Sequence, residues 1–142
     1  TIIQSLVDPK NVLGRRLKIS SCLPQDIPNA IKEHSISTMF YKGGETSELG
    51  RSPTRLAEVL STGMPVVVNR GVGDVADVVT QNRVGIVLDG IDATSISDAI
   101  DNLNSLYLDK EIHKRCRDTA EKIFSLEFGI NNYRKIYTEA IG

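Results

Sequence analysis

Four basic residues lie at or near two glycine-containing segments of the chain, and this combination is suited to binding phosphate groups. They are Lys42, Arg51, Arg55 and Arg70. An arginine guanidinium can hold phosphate oxygens through paired hydrogen bonds, so the clustering favours an anion site. The same residues also have an ordinary interpretation as exposed surface charges, and that alternative stays open at this point.

The first glycine-containing segment leads into a predicted helix whose amino-terminal turn offers a second means of holding an anion. Ser52 can cap free N–H groups, and Pro53 fits the first helical position. The turn from Ser52 through Thr54 to Arg55 presents unpaired N–H groups and the positive end of the helix dipole, which suits a diphosphate. The preceding loop contains three glycines, Gly43, Gly44 and Gly50.

The second glycine segment is Gly71-Val72-Gly73, between a strand predicted at Val66 to Asn69 and a helix that begins near Asp74. In an open parallel sheet, ligands bind at the carboxyl ends of the strands, where both glycine segments must lie. We therefore expect the two segments to converge on one crevice. Strand-to-helix turns also use glycine simply for its backbone freedom, so the segments alone do not require a ligand.

Glu58 is the acidic residue with the strongest functional interpretation in the predicted helix. It lies two residues after Leu56, hence about 200° around the helix, and cannot share the apolar stripe of Leu56, Val59 and Leu60. It must face a cleft or water. The plain alternative is an exposed carboxylate that pairs with Arg55 one turn earlier.

Short apolar runs alternate with helical patterns, which predicts an α/β fold with a doubly wound, Rossmann-like parallel sheet. The predicted strands are Leu17 to Ser21, Thr38 to Tyr41, Val66 to Asn69 and Ile86 to Leu88. The predicted helices between them are Ile27 to Glu33, Thr54 to Ser61 and Asp74 to Thr80. Thr1 to Arg16 shows no clear pattern apart from a short helix at Ile2 to Val7.

The last third of the chain predicts three consecutive amphipathic helices, because apolar residues recur there at intervals of three and four. The apolar positions are Ile96, Ala99, Ile100, Leu103 and Leu106, then Ile112, Cys116, Ala120, Ile123 and Phe124, then Ile130, Tyr133, Ile136, Tyr137 and Ile141. We expect all of these side chains to pack the domain rather than to bind a ligand.

Composition limits the classes of partner. The chain has 142 residues, enough for one domain with a real core, and a formal net charge of -1, which gives no bulk attraction to nucleic acid. Cys22 and Cys116 lack zinc-ligand spacing and are predicted to be buried thiols. His34 and His113 are isolated in the sequence and are not expected to do chemistry. Without a membrane-spanning stretch or a signal pattern, a cytoplasmic location is expected.

The segments SPTRLAEVLSTGMPVVVN, GVGDVADVV and GIVL together resemble the C-terminal domain of retaining GT-B glycosyltransferases of the group-one, or family-four, type. The resemblance runs from about Leu17 to the C-terminal helices. It implies that Glu58 binds the ribose hydroxyls of the donor nucleotide and that the backbone from Arg51 to Thr54 contacts the donor phosphate and sugar. Gly71 and Gly73 correspond to the later glycine loop of the family.

One departure from the family concerns the pair of glutamates that are separated by seven residues. The first of them, which contacts the donor sugar, is replaced here by Gly50. Glu48 lies nearby, but the resemblance does not transfer the role to it. A subset of the family shares the S-P-T-K/R sequence before the second glutamate, so the departure affects the expected sugar more than the expected fold.

The resemblance implies transfer of a sugar from a nucleotide-diphosphate sugar to an acceptor, with retention of configuration and no cofactor or metal. Residues 1–142 would be the nucleotide-sugar donor domain, inactive alone, of an enzyme whose N-terminal acceptor domain is absent from this chain. An acceptor sugar or glycolipid, peripheral contact with the inner face of a membrane and a role in polysaccharide biosynthesis would belong to the complete enzyme.

Two other functions remain open. A GT-B nucleotide-sugar 2-epimerase would use the same fold and cleft, although the S-P-T-R-L-A-E segment is more typical of transferases. A non-catalytic nucleotide-binding module is favoured by Gly50. A receiver-type signalling domain is disfavoured, because no acidic cluster follows the first predicted strand.

Overall fold

The computed structural model describes Lys10 and residues 16–42, 46–52 and 54–141, which form an α/β fold around a three-stranded parallel sheet. In chain order the elements are a 3-10 turn Pro24–Asp26, α1 Ile27–Lys32, β1 Ser37–Met39, α2 Thr46–Leu49, α3 Thr54–Ser61, β2 Val66–Asn69, α4 Val75–Asn82, β3 Gly85–Leu88, α5 Ala93–Leu108, α6 Ile112–Phe124 and α7 Leu126–Ile141.

The strands lie in the order β1-β2-β3, and all are parallel. The central strand β2 is buried along its whole length, because helices cover both faces of the sheet. Gly85 opens β3 opposite Val66, and a Cβ at Gly85 would overlap the Val66 carbonyl oxygen. Only glycine allows the two strands to approach this closely at that point.

Alternate residues of β2 face two separate apolar clusters. Val66 and Val68 pack with α3, α4 and α6 in one cluster, whereas Val67 packs with Leu88 and Ala99 in the other, under α5. This alternation follows from the two-residue period of a strand. Helices on both faces of a parallel sheet confirm the predicted Rossmann-like α/β class.

Helix α3 has the bounds that the sequence predicts, and its apolar stripe is buried. Leu56, Val59 and Leu60 are almost fully inaccessible. The helix is followed by Gly63 with φ 84°, a left-handed conformation in which glycine avoids steric cost. The stripe therefore fixes the rotation of α3, and with it the direction in which Glu58 faces.

Two strand predictions need correction. Leu17 to Ser21 is irregular and largely exposed, and it does not pair with β1, the edge strand of the described sheet. The predicted strand Thr38 to Tyr41 is observed as Ser37–Met39. The shift arises because the Tyr41 main chain pairs with a side chain rather than with a strand. The helix predicted at Ile2 to Val7 lies outside the described residues.

The three predicted C-terminal helices are confirmed, but the expectation that all their apolar residues pack the domain is wrong. In α6, Ile112, Cys116 and Ala120 are buried. In α7 no described residue is buried, and α5 also carries exposed apolar side chains. These exposed residues include Ile96, Ile100, Tyr133, Ile136, Tyr137 and Ile141. Helical periodicity identifies an apolar face but not whether a partner covers it. No described helix is long and apolar enough to span a membrane.

The two cysteines differ in exposure, so the prediction that both are buried is wrong for one of them. Cys116 is fully inaccessible, and its thiol lies 3.8 Å from the Val84 carbonyl oxygen. Burial raises the pKa of Cys116 to about 12. Cys22 is exposed, because the irregular segment that contains it does not enter the core.

Candidate functional site

The two glycine segments meet at the carboxyl ends of the strands, as the sequence predicts. The Gly73 N–H donates to the Glu48 carbonyl oxygen at 2.9 Å. Gly73 has φ 42°, and a Cβ there would overlap the carbonyl oxygen of Arg51. The two segments are therefore in direct main-chain contact, which requires a residue without a side chain at position 73.

Glu48 lies at the centre of this junction. Its carbonyl oxygen also accepts the Arg51 N–H at 3.1 Å, and its Oε1 lies 3.1 Å from Arg51 Nη2. The Glu48 side chain is only 13% exposed. Its second oxygen, Oε2, is buried and has no hydrogen-bond partner among the described residues. The family resemblance did not assign Glu48 a role, because a single glutamate in a polar segment of the sequence carries no distinguishing pattern.

The Arg51 side chain is held from a second direction by Tyr41. The guanidinium carbon lies 5.2 Å from the centre of the Tyr41 ring, a distance at which the cation is attracted to the aromatic face. The Arg51 side chain nevertheless remains 46% exposed. A guanidinium carries five N–H donors, so those not used by Glu48 can meet an anion.

Asn69 fixes the end of β1 to the end of β2. Its Oδ1 accepts the Tyr41 N–H at 2.9 Å, and its Nδ2 donates to the carbonyl oxygens of Tyr41 and Arg70 at 2.9 and 2.8 Å. Asn69 is buried and uses both ends of its amide. Its signal in the sequence is a polar residue that ends a run of three valines at the carboxyl end of a strand.

Helix amino termini near this edge differ in how their N–H groups are satisfied. In α5, the Asp92 side chain accepts the Ser95 and Thr94 N–H groups at 3.0 Å and the Ser95 hydroxyl at 2.8 Å. These bonds, those from Ser95 most of all, lower the pKa of Asp92. That helix end is therefore occupied by a carboxylate of the chain itself. In α4, which follows Gly73, the Asp74 side chain makes no capping hydrogen bond.

The remaining predicted cations are engaged differently from Arg51. The Arg70 Nε donates to Asp89 Oδ1 at 2.6 Å, and both side chains are more than half exposed. Lys42 is exposed one residue after Tyr41. Arg70 thus lies at the predicted edge, but its charge is compensated by a carboxylate that follows β3.

Glu58 and Arg55 pair with each other on α3. Glu58 is exposed, as predicted, and its Oε2 lies 3.2 Å from the Arg55 Nε, which is the ion pair of the plain alternative. Glu58 lines an open groove of about 530 Å³ between α3 and α6, with Ser61 and Arg117 among its neighbours. A role for Glu58 in binding ribose stays a prediction.

For the other predicted site residues, the structure gives exposure or backbone conformation but no specific contact. Ser52 and Thr54 are exposed at the start of α3, and Gly71 has φ 84° in the second glycine segment. Pro53 lies outside the described residues, as do Gly43 and Gly44 of the first segment.

A cavity of about 410 Å³ lies at the opposite, amino-terminal edge of the sheet. His34 and His113, isolated in the sequence, both line it. Each Nδ1 lies 2.8 Å from a carbonyl oxygen, of Ala30 and Gly63 respectively, so each Nδ1 carries the hydrogen. In the described part of the chain, no three His, Cys, Asp or Glu residues are grouped so that they could hold a metal ion.

Comparisons with known proteins define the fold. No protein-family model matches the chain, and no curated protein matches it in sequence. Among solved structures it is similar to the sucrose-phosphate synthase of Thermosynechococcus elongatus, with a TM-score of 0.74 and 17% identity over 98% of this chain. The chain spans about a third, 33%, of that protein. It therefore has the Rossmann-like fold of part of a GT-B glycosyltransferase.

Proposed function

We propose that this chain is the nucleotide-sugar-binding domain of a retaining GT-B glycosyltransferase. The observation that carries the proposal is the contact between the two glycine segments at the carboxyl ends of β1 and β2. In an open α/β sheet this edge is where ligands bind, and here it holds Arg51 with donors available for an anion. The likeness to a sucrose-phosphate synthase supports the same assignment through the fold.

The diphosphate of the donor would lie at the junction. Arg51 would contact phosphate oxygens, and main-chain N–H groups near Gly71 and of Ser52 and Thr54 would complete the site. Because Asp92 already caps α5, the neighbouring helix end at α4 is the better place for a phosphate.

The ribose would be bound by Glu58, whose carboxylate can accept two hydrogen bonds from a vicinal diol. In the unliganded chain this carboxylate pairs with Arg55 at the surface. Ribose binding would exchange that exposed ion pair, a weak interaction, for two charge-assisted hydrogen bonds. Arg55 would then be free to turn toward the diphosphate.

Sugar transfer would proceed with retention, assisted by electrostatic stabilisation of the departing diphosphate by these N–H groups and cations. The acceptor, a sugar or glycolipid, would be bound by a further domain, and the isolated chain would be inactive. This mechanism requires no cofactor, because the nucleotide-diphosphate sugar is the donor substrate.

The test is a calorimetric titration of the chain with UDP, GDP and ADP, comparing the native protein with Glu58→Ala. One nucleotide should bind saturably, and Glu58→Ala should weaken it about tenfold or more, the worth of hydrogen bonds to a charged group. Asp118→Ala is a matched control, because Asp118 is also an exposed carboxylate, 57% accessible and paired within its own helix to Lys114. Equal losses in both variants would rule out a specific role for Glu58.

A non-catalytic nucleotide-binding module is the second candidate, and Gly50 in place of the glutamate of the family favours it. Both candidates predict nucleotide binding, so binding alone does not separate them. Hydrolysis or transfer of the donor sugar by a longer form of the protein that contains both domains would support the enzyme. Tight binding without turnover would support the module.

A further inference from the structure

We propose that Glu48 is a positioning residue that orients the Arg51 guanidinium for a diphosphate group. The inference rests on the proposed function, because it concerns the same cleft. Glu48 would not contact the ligand itself, since its Oε2 is buried and the Oε1 faces Arg51. Its effect on binding would pass through Arg51 alone.

The geometry that supports this role is a clamp with two sides. Glu48 Oε1 holds Nη2 of Arg51 at 3.1 Å, and the Tyr41 ring lies under the same guanidinium at 5.2 Å. An unrestrained arginine loses much rotamer freedom when it grips a phosphate. Because this guanidinium is restrained before any ligand binds, part of the loss of side-chain entropy has already occurred in the unliganded protein.

The clamp is fixed to both glycine segments and to the sheet. The Glu48 carbonyl oxygen accepts from Gly73 and Arg51, and Asn69 holds Tyr41 by its main chain. Both sides of the clamp therefore belong to the carboxyl edge of the sheet rather than to a free loop. Glu48 is also mostly buried, which is unusual for a glutamate that has only one ion-pair partner.

An electrostatic role and a positioning role of Glu48 predict opposite changes in affinity when Glu48 is replaced. A carboxylate near a bound diphosphate repels it, so a purely electrostatic role predicts tighter binding whenever the charge is removed. A positioning role predicts weaker binding when the acceptor for Arg51 is removed. Glu48→Gln removes the charge but retains an oxygen for Arg51, whereas Glu48→Ala removes both.

The experiment is a titration of the chain with inorganic pyrophosphate and with the nucleoside diphosphate that binds best. We expect Glu48→Ala to weaken both ligands about fivefold to tenfold and Glu48→Gln to bind at least as tightly as the native chain. In an Arg51→Ala background, Glu48→Ala should cause no further loss, because the group that it positions is gone.

The Arg51→Ala background separates a positioning role from a structural one. If Glu48→Ala weakens binding equally with and without Arg51, the residue acts on the loop and the inference is overturned. Tighter binding by Glu48→Ala overturns it as well. If the native chain binds no nucleoside diphosphate, the proposed function fails and this inference fails with it, whereas native binding with an unaffected Glu48→Ala variant refutes this inference alone.

Discussion

Gly73→Ala is the substitution that tests most directly whether the two glycine segments form one site. The backbone at Gly73 has φ 42°, which L-residues with a Cβ rarely adopt. A Cβ there would also overlap the Arg51 carbonyl oxygen, a main-chain atom that cannot swing aside as the end of a side chain can. The segments would have to separate, and the Gly73 to Glu48 hydrogen bond would be lost.

The expected loss of unfolding free energy has two parts. A left-handed conformation costs a residue with a Cβ about 1–2 kcal/mol, and the lost hydrogen bond about 1 kcal/mol. The total of roughly 2–3 kcal/mol should lower the unfolding midpoint by about 10 °C in a domain of this size. Nucleotide affinity should fall about tenfold or more, because Arg51 moves with the displaced segment.

Gly63→Ala is the matched control for this variant. Gly63 is also left-handed, with φ 84°, but it lies at the opposite edge of the sheet beside His113 and Arg117. It should lose stability without losing affinity for inorganic pyrophosphate in the folded protein, because the Arg117 side chain that its Cβ would displace lines the groove of Glu58 and not the junction of the glycine segments. The measurements are thermal unfolding by circular dichroism and calorimetric titration with inorganic pyrophosphate and with nucleoside diphosphate. An unchanged midpoint for Gly73→Ala would refute the close approach, and unchanged affinity would refute its role in binding.

Three further predictions follow from single positions. In the native chain a thiol reagent at pH 8 should label the exposed Cys22 and spare the buried Cys116. The raised pKa of Cys116 leaves only about one molecule in ten thousand with a thiolate at that position. Labelling of two thiols without denaturant would contradict this prediction. Gly85→Ala should cost about 3 kcal/mol in chemical unfolding, because its Cβ would overlap the Val66 carbonyl oxygen, and a cost near zero would disprove the register. Gly50→Glu should leave the unfolding midpoint within about 2 °C of the native value, because its backbone is not left-handed and a Cβ would meet no atom of the described residues closer than 4.0 Å. A larger drop would show that glycine is structurally required there.

The parts of the fold that sequence predicts well are those in which local and tertiary preferences agree. Helix α3 combines a helical apolar stripe with a terminating glycine, and β2 combines three valines with burial on both faces. The local sequence pattern of Leu17 to Ser21 is that of a strand, yet this segment pairs with no strand of the described sheet. Pairing is a property of the whole fold, and a five-residue pattern does not contain it.

The candidate site also has some features that the sequence predicts and others that it does not. Convergence of the two glycine segments could be predicted, because the carboxyl ends of parallel strands share one edge. The clamp around Arg51 could not, since it depends on the burial of Glu48 and on a ring ten residues earlier in the chain. The contact of Asn69 with Tyr41 spans 28 positions and has only a weak local signal.

Gly50 bears on what kind of function the cleft retains. Glycine is required at Gly73 by φ and by close approach, and at Gly85 by close approach to Val66. Neither requirement applies at Gly50, where a side chain has room among the described residues. The described fold therefore does not require the glycine that stands where the family resemblance expects a glutamate. Under the proposed function, a cleft with Arg51 and Glu58 but without this carboxylate would bind the nucleotide diphosphate through more contacts than the sugar, so affinity should depend more on the nucleotide than on the sugar attached to it.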